Sequence, residues 1–95
     1  MTNGPGMTRR ALKIVNEKGL HARASAKLVE VVEGFDAHAE ICRDGMSASG
    51  DSIMGLLMLA ASKGTTIEVE TAGPDADALA DAIEALVADR FGEGF

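Results

Sequence analysis

Thr65-Thr66-Ile67-Glu68-Val69-Glu70-Thr71 alternates apolar and charged side chains over residues 67–70, between threonines. Ile67 and Val69 share one face and Glu68 and Glu70 the other, the period of a strand with one side on a core and one in water. It is the last strand the sequence offers, and its place among the earlier ones decides the topology.

Working back, residues 46–49 read as a short strand, and Asp44-Gly45 before them is a tight-hairpin signal. Residues 37–43 alternate too, with Ala39 and Ile41 on one face and His38, Glu40 and Cys42 on the other. Residues 9–16 form the first strand, with Leu12 and Ile14 inward, and Glu17-Lys18-Gly19 turns out of it. Between and after the strands the period becomes helical. Residues 22–33 place Ala22, Ala26, Val29 and Val32 or Glu33 on successive turns, and Gly34 is expected as a left-handed cap with Phe35 packing back. Ser52 opens a brief second helix through Leu59 that is apolar nearly all round, with Lys63-Gly64 expected to end it. After Gly73-Pro74-Asp75 a third helix buries Leu79, Ile83, Leu86 and Val87, with Arg90 near its end and Gly92 as its stop.

The order strand, helix, strand, strand, helix, strand, helix is an α+β arrangement of the split βαβ kind. A right-handed crossover makes strands one and two parallel, and the hairpin reverses strand three. Inserting strand four between one and two makes every neighbour antiparallel, so the predicted order is 1-4-2-3. Three helices cover one face, and the face carrying Glu40, Glu68 and Glu70 is left to water. Residues 1–8 are expected as a flexible leader, 9–91 as a single domain and 92–95 as a frayed tail.

Ninety-five residues, 46% of them hydrophobic and 25% charged, suit one modest globular core, and three Phe with no Trp or Tyr make that core aliphatic. A net charge of -6 opposes nucleic-acid binding, which needs a basic field. Cys42 is the sole cysteine, so no internal disulfide forms. With neither a signal-type apolar run nor a bilayer-spanning stretch, a cytoplasmic monomer without membrane insertion is expected. Cys42 and His38 have no companion at metal-ligand spacing, and no phosphate-binding glycine loop, nucleophile elbow or carboxylate pair is present, so no metal or cofactor is expected.

The chemistry concentrates at Gly19-Leu20-His21-Ala22-Arg23-Ala24-Ser25. A histidine at a helix start is often a plain polar cap. Here the backbone N–H groups of Ala22, Arg23 and Ala24 at the helix start would cradle a phosphoryl group on His21, and the Arg23 guanidinium would fork onto it. Ser52 is a preferred helix cap, and a phosphate there would set about two negative charges beside an apolar surface. Met54 and Leu57, with Leu20, would form that surface as a docking face.

Two motifs resemble the signatures of the HPr family, the histidine-containing phosphocarriers of the bacterial phosphoenolpyruvate phosphotransferase system. They are Gly19-Leu20-His21-Ala22-Arg23 and Ser52-Ile53-Met54-Gly55-Leu56-Leu57-Met58-Leu59, and the likeness runs from about Arg9 to Phe91. The resemblance implies an open-faced β-sandwich and a phosphotransfer intermediate rather than an enzyme. It further implies that His21 takes phosphate on Nδ1 from enzyme I and passes it to an EIIA-type acceptor, with Arg23 assisting. Ser52 would be the target of an HPr kinase/phosphorylase.

Three positions depart from the family pattern. Ala24 stands where proline is usual and restores a backbone donor, Asp51 precedes Ser52 where a basic residue is frequent, and Glu30 and Glu33 stand where sugar-type members often carry lysine. Gly34-Phe35-Asp36-Ala37, Leu56-Leu57-Met58-Leu59, Lys63-Gly64 and Ile67-Glu68-Val69-Glu70 with Gly73-Pro74 look like the nitrogen-related branch, whose members regulate rather than import sugar. The competing expectations are a sugar-transport member of the same family and an interaction module gated by phosphorylation of Ser52. A small ferredoxin-like ligand-binding domain is supported by strand order alone.

Overall fold

The computed structural model describes residues 6–95. Its elements are β1 (Met7–Lys13), α1 (Ala22–Glu33), β2 (His38–Arg43), β3 (Met46–Ser49), α2 (Ile53–Met58), β4 (Thr66–Ala72) and α3 (Ala76–Ala88), closed by a short 3-10 turn, Arg90–Gly92. The sheet order is β1-β4-β2-β3 with every pair antiparallel. β4 lies in the centre because both its edges are paired: Leu12 stands opposite Ile67 on one side and Ile41 opposite Val69 on the other. These four side chains are buried and point at the helices.

The opposite face is charged, with Glu40 opposite Glu70 and Cys42 opposite Glu68. Arg9 Nη2 lies 2.6 Å from Glu70 Oε2 and relieves part of that repulsion. Burial, followed by the charges of Glu70, Glu40 and Glu68, pushes the Cys42 thiol up, so it is a poor nucleophile at neutral pH.

The hairpin between β2 and β3 turns on Asp44 and Gly45, both with positive φ (49° and 82°), the mirror-image turn whose twist suits paired strands. α3 is fastened to β1 by Arg10, whose Nη1 reaches Asp81 Oδ1 at 2.6 Å and Glu84 Oε1 at 2.9 Å, and by a Thr8 to Asp77 hydrogen bond.

Several boundaries differ from expectation. Met7 and Thr8, placed in the leader, belong to β1 because β4 supplies partners for them at Ala72 and Thr71; residues 1–5 of that leader lie outside the described residues. The buried stripe of α1 is Ala24, Ser25, Leu28, Val29 and Val32, with Ala22 exposed. Leu28, the bulkiest apolar residue of the helix, sets the face. Gly34 is right-handed (φ -81°), since α1 closes with Gly34 N–H to Val31 O and Phe35 N–H to Val32 O, which leaves no need for a left-handed cap. Phe35 does pack against the core. α2 ends at Met58, before Lys63-Gly64, because Ala60 takes a positive φ (52°) and Arg43 Nη1 caps the Leu59 carbonyl at 3.0 Å.

The largest difference is at the C-terminal end. Residues 92–95, expected to fray, fold back onto the loop before α1. The Glu17 N–H donates to Phe95 O at 3.2 Å, Lys27 Nζ donates to Phe91 O at 2.7 Å, and the Phe91 ring is fully buried.

Candidate functional site

His21 is the residue immediately before α1, in extended backbone, and Ser25 N–H to His21 O (2.8 Å) is the first bond of the helix. The N–H groups of Ala22, Arg23 and Ala24 precede that bond and have no intrahelical acceptor, and no side chain caps this end. The helix start therefore presents the N–H groups of the exposed Ala22 and Arg23 and the positive end of its dipole beside the imidazole, while Ala24, expected as a third member of the cradle, is fully buried. Alanine at 24 keeps an N–H that proline would have removed, on a residue packed into the core.

Delivery of His21 to that point depends on Gly19. Its φ of +63° turns the chain sharply, and a Cβ there would meet the backbone of Ala61 and Ser62. The next residue is pinned by Leu20 N–H to Ala61 O at 2.8 Å. Leu20 itself, expected on the docking face, is only 4% exposed: it belongs to the core and supports the site from beneath. What surface it keeps lines a shallow groove with Lys18, His21, Leu57, Ala60, Ala61 and Ser62.

The His21 ring is 27% exposed and contacts Glu93 through Nε2, which leaves Nδ1 without a hydrogen-bond partner among the described residues. Glu93 is not free to wander: its side chain is 6% exposed, and Asn16 Nδ2 donates to its Oε1 at 3.0 Å. The same Asn16 nitrogen donates to Gly19 O at 2.8 Å. Burial works to raise the Glu93 carboxyl, but the hydrogen bonds from Asn16 and His21 and the nearby cations outweigh it and hold the group below the usual carboxylate range.

Neither Glu93 nor Asn16 figured in the sequence reading. Asn16 had one signal: it continues the inward parity of Leu12 and Ile14, and a polar side chain at a core position needs polar partners. Glu93 stands between Gly92 and Gly94, which take φ of +77° and +76° and allow the reversal.

Arg23 is exposed and enters no ion pair among the described residues. Ser52 caps α2, its Oγ accepting from Gly55 N–H at 3.0 Å, while Asp51 is engaged by Ser49 Oγ at 2.6 Å. α1 and α2 pack on each other. On the outer side of α2, Met54 is 72% exposed, Met58 75% and Leu57 37%, with Leu56 buried beneath. No group of three or more His, Cys, Asp or Glu that could hold a metal occurs among the described residues.

Residues 8–89 match the family model described as "PTS HPr component phosphorylation site". The chain belongs to the HPr family of phosphocarriers. HPr of Cupriavidus necator is 48% identical over 88 residues, covering 93% of this chain and 99% of that protein. The phosphocarrier NPr of Shewanella violacea is 46% identical over 84 residues, covering 88% and 92%. Among solved structures, HPr of Bacillus anthracis superposes with a TM-score of 0.82 at 33% identity, covering 85% of this chain and 96% of that one. An HPr from Thermoanaerobacter tengcongensis gives 0.88 at 28% identity, covering 93% and 99%. As an HPr-family phosphocarrier the chain is an intermediate that is charged and discharged by phosphotransferase-system proteins, and not an enzyme. Among the described residues no helix is long and apolar enough to cross a membrane.

Proposed function

We propose that His21 accepts a phosphoryl group on Nδ1 from enzyme I and passes it to an EIIA-type acceptor. The observation that carries this reading is a partly exposed imidazole whose Nδ1 is unengaged, at a helix start where the exposed Ala22 and Arg23 carry N–H groups outside the helical ladder. Those donors favour the phosphoryl oxygens without any cleft, so the group is held yet stays transferable. Arg23, on the first turn and outside every ion pair among the described residues, supplies a guanidinium to the phosphoryl group or to the charge that builds during transfer.

Relatives bearing the HPr and NPr names match at 48% and 46%, so sequence identity does not separate the two branches. The nitrogen-related assignment rests on the motifs around Gly34-Phe35, Leu56 to Leu59 and Ile67 to Glu70, and on the acidic Glu30 and Glu33 of α1. On this reading the carrier serves a regulatory phosphotransferase system, and enzyme I docks over Met54 and Leu57. A phosphate on Ser52, added by an HPr kinase/phosphorylase, would set charge at the edge of that apolar face and slow docking.

The test is incubation with phosphoenolpyruvate, magnesium and enzyme I of either branch. The account expects an acid-labile, base-stable phosphoprotein, faster charging by the nitrogen-related enzyme I, and no label on His21→Ala. Undiminished labelling of His21→Ala would end it.

A further inference from the structure

Glu93 lies far along the chain from the two motifs that carry the family resemblance and Asn16 just outside the first of them, yet together they hold the imidazole. We propose that Glu93 is the positioning residue for His21, and that Asn16 ties it to the glycine turn that delivers the histidine. The inference rests on the reading of His21 Nδ1 as the phosphoryl acceptor.

An ionised carboxylate can only accept, so the ring nitrogen it meets, Nε2, carries the proton and Nδ1 keeps its lone pair. The contact also fixes the rotation of the ring, as a carboxylate does for other functional histidines. An exposed ion pair of this kind would hold little. This one is sheltered, and the carboxylate is bound from two sides, by His21 Nε2 at Oε2 and by Asn16 Nδ2 at Oε1. Because Asn16 Nδ2 also holds the Gly19 carbonyl, a shift of the tail is a shift of the turn before His21.

The chain on either side of Glu93 is fastened independently. Before it, the buried Phe91 ring and the Lys27 bond to the Phe91 carbonyl anchor the turn; after it, the Phe95 carbonyl accepts from Glu17 N–H and Lys18 Nζ lies 5.7 Å from the centre of the Phe95 ring. Residues 90–95 are thus a strap whose middle member faces the imidazole.

During transfer the Nδ1 lone pair forms the bond to phosphorus, and the bond from phosphorus to the donor's atom breaks with its electron pair staying on the donor. The Nε2 proton stays where it is. The ring gains positive charge as the N–P bond forms, and the Glu93 carboxylate is already in place against it. Discharge to the acceptor reverses these steps.

The experiment charges the full-length wild type, Glu93→Ala and Glu93→Gln with phosphoenolpyruvate, magnesium and enzyme I, over a range of carrier concentrations. Expected are a kcat about tenfold lower for Glu93→Ala, a KM within about twofold of wild type, and an intermediate kcat for Glu93→Gln, which keeps an acceptor oxygen and loses the charge. NMR of the uncharged proteins supplies a readout that a merely structural role would not move. The Nε2-bound proton of His21 is expected in wild type and lost to solvent exchange in Glu93→Ala, with the backbone amides of α1 unshifted. Wild-type kcat in Glu93→Ala, or a change confined to KM, overturns the proposal. Failure of wild type to charge at His21 would instead sink the acceptor reading, and the Nε2 proton signal would still report whether Glu93 holds the ring.

Discussion

A Cβ placed on Gly19 would run into the carbonyl oxygen of Ala61 and lie 2.8 Å from the Ser62 Cα. The glycine that sends the chain to His21 is therefore fixed twice, by its positive φ and by the loop after α2 pressed against it. Leu20 N–H to Ala61 O joins the same two segments, so the backbone that places the histidine is built on the backbone that follows α2.

Gly19→Ala is expected to cost more than about 2 kcal/mol, the left-handed penalty plus a backbone collision. Gly45→Ala, in the hairpin with a φ of +82° and nothing within 4 Å of the added carbon, is expected to cost about 1 kcal/mol. Chemical denaturation of the two variants checks the order. Equal losses would show that the Ala61 contact yields easily.

Glu93 gives the stability curve a predictable pH dependence. Its carboxyl lies below the usual range in the folded protein, so in the window between the folded and unfolded values the unfolded chain binds the extra proton, and stability rises with pH. The contribution is present above about pH 4.3 and is lost as pH falls through the lower, folded value. Urea midpoints of wild type and Glu93→Gln measured from neutral to acid pH should converge at the acid end. A constant gap would mean that the charge of Glu93 contributes nothing to folding.

Ser52→Ala removes the oxygen that accepts from Gly55 N–H and is expected to lower stability by about 1 kcal/mol. Ser52→Asp keeps an acceptor at the cap, so it should melt close to wild type while setting a second negative charge beside Asp51. A slower charging rate by enzyme I with an unchanged melting temperature is the expected pattern. A charging rate equal to wild type would argue that negative charge at this position does not act as a brake.

Of the three residues expected at the docking face from sequence, Met54 and Leu57 are exposed and Leu20 is buried. Met54→Lys, at a side chain 72% exposed, should leave stability within about 0.5 kcal/mol and raise the KM for charging by enzyme I. Leu20→Ala, at a core position, should cost about 3 kcal/mol. Thermal melts together with charging kinetics separate the two. A stable Leu20→Ala with a raised KM would return that residue to the docking face.

Much of the fold was legible because its signals are local. Alternation in residues 66–72, the Asp44-Gly45 turn and the Ser52 cap each depend on a few neighbouring residues, and topology rules assembled them into the observed 1-4-2-3 sheet. The motif Gly19 to Arg23 likewise carried His21 and Arg23. What stayed hidden depends on contacts across the chain. Glu93 meets His21 across 72 residues and Asn16 across 77, and no period or spacing joins them. The face of α1 holds as expected at Val29 and Val32 and shifts in the first turns, because alanines read as apolar at every register and only packing shows that Leu28 points inward and Ala22 out. Leu20 is a mixed case: an apolar side chain beside His21 suggests a partner, and it is nearly all buried in the core while its remaining surface lines the groove with His21 and Leu57.

The central claim is that His21 carries the phosphoryl group on Nδ1. Phosphorus-31 and nitrogen-15 NMR of the protein charged with phosphoenolpyruvate, magnesium and enzyme I tests it most directly. The account predicts one phosphoramidate signal coupled to Nδ1 of His21, absent from His21→Ala, with Nε2 still protonated. A signal coupled to Nε2, or one that persists in His21→Ala, would contradict it.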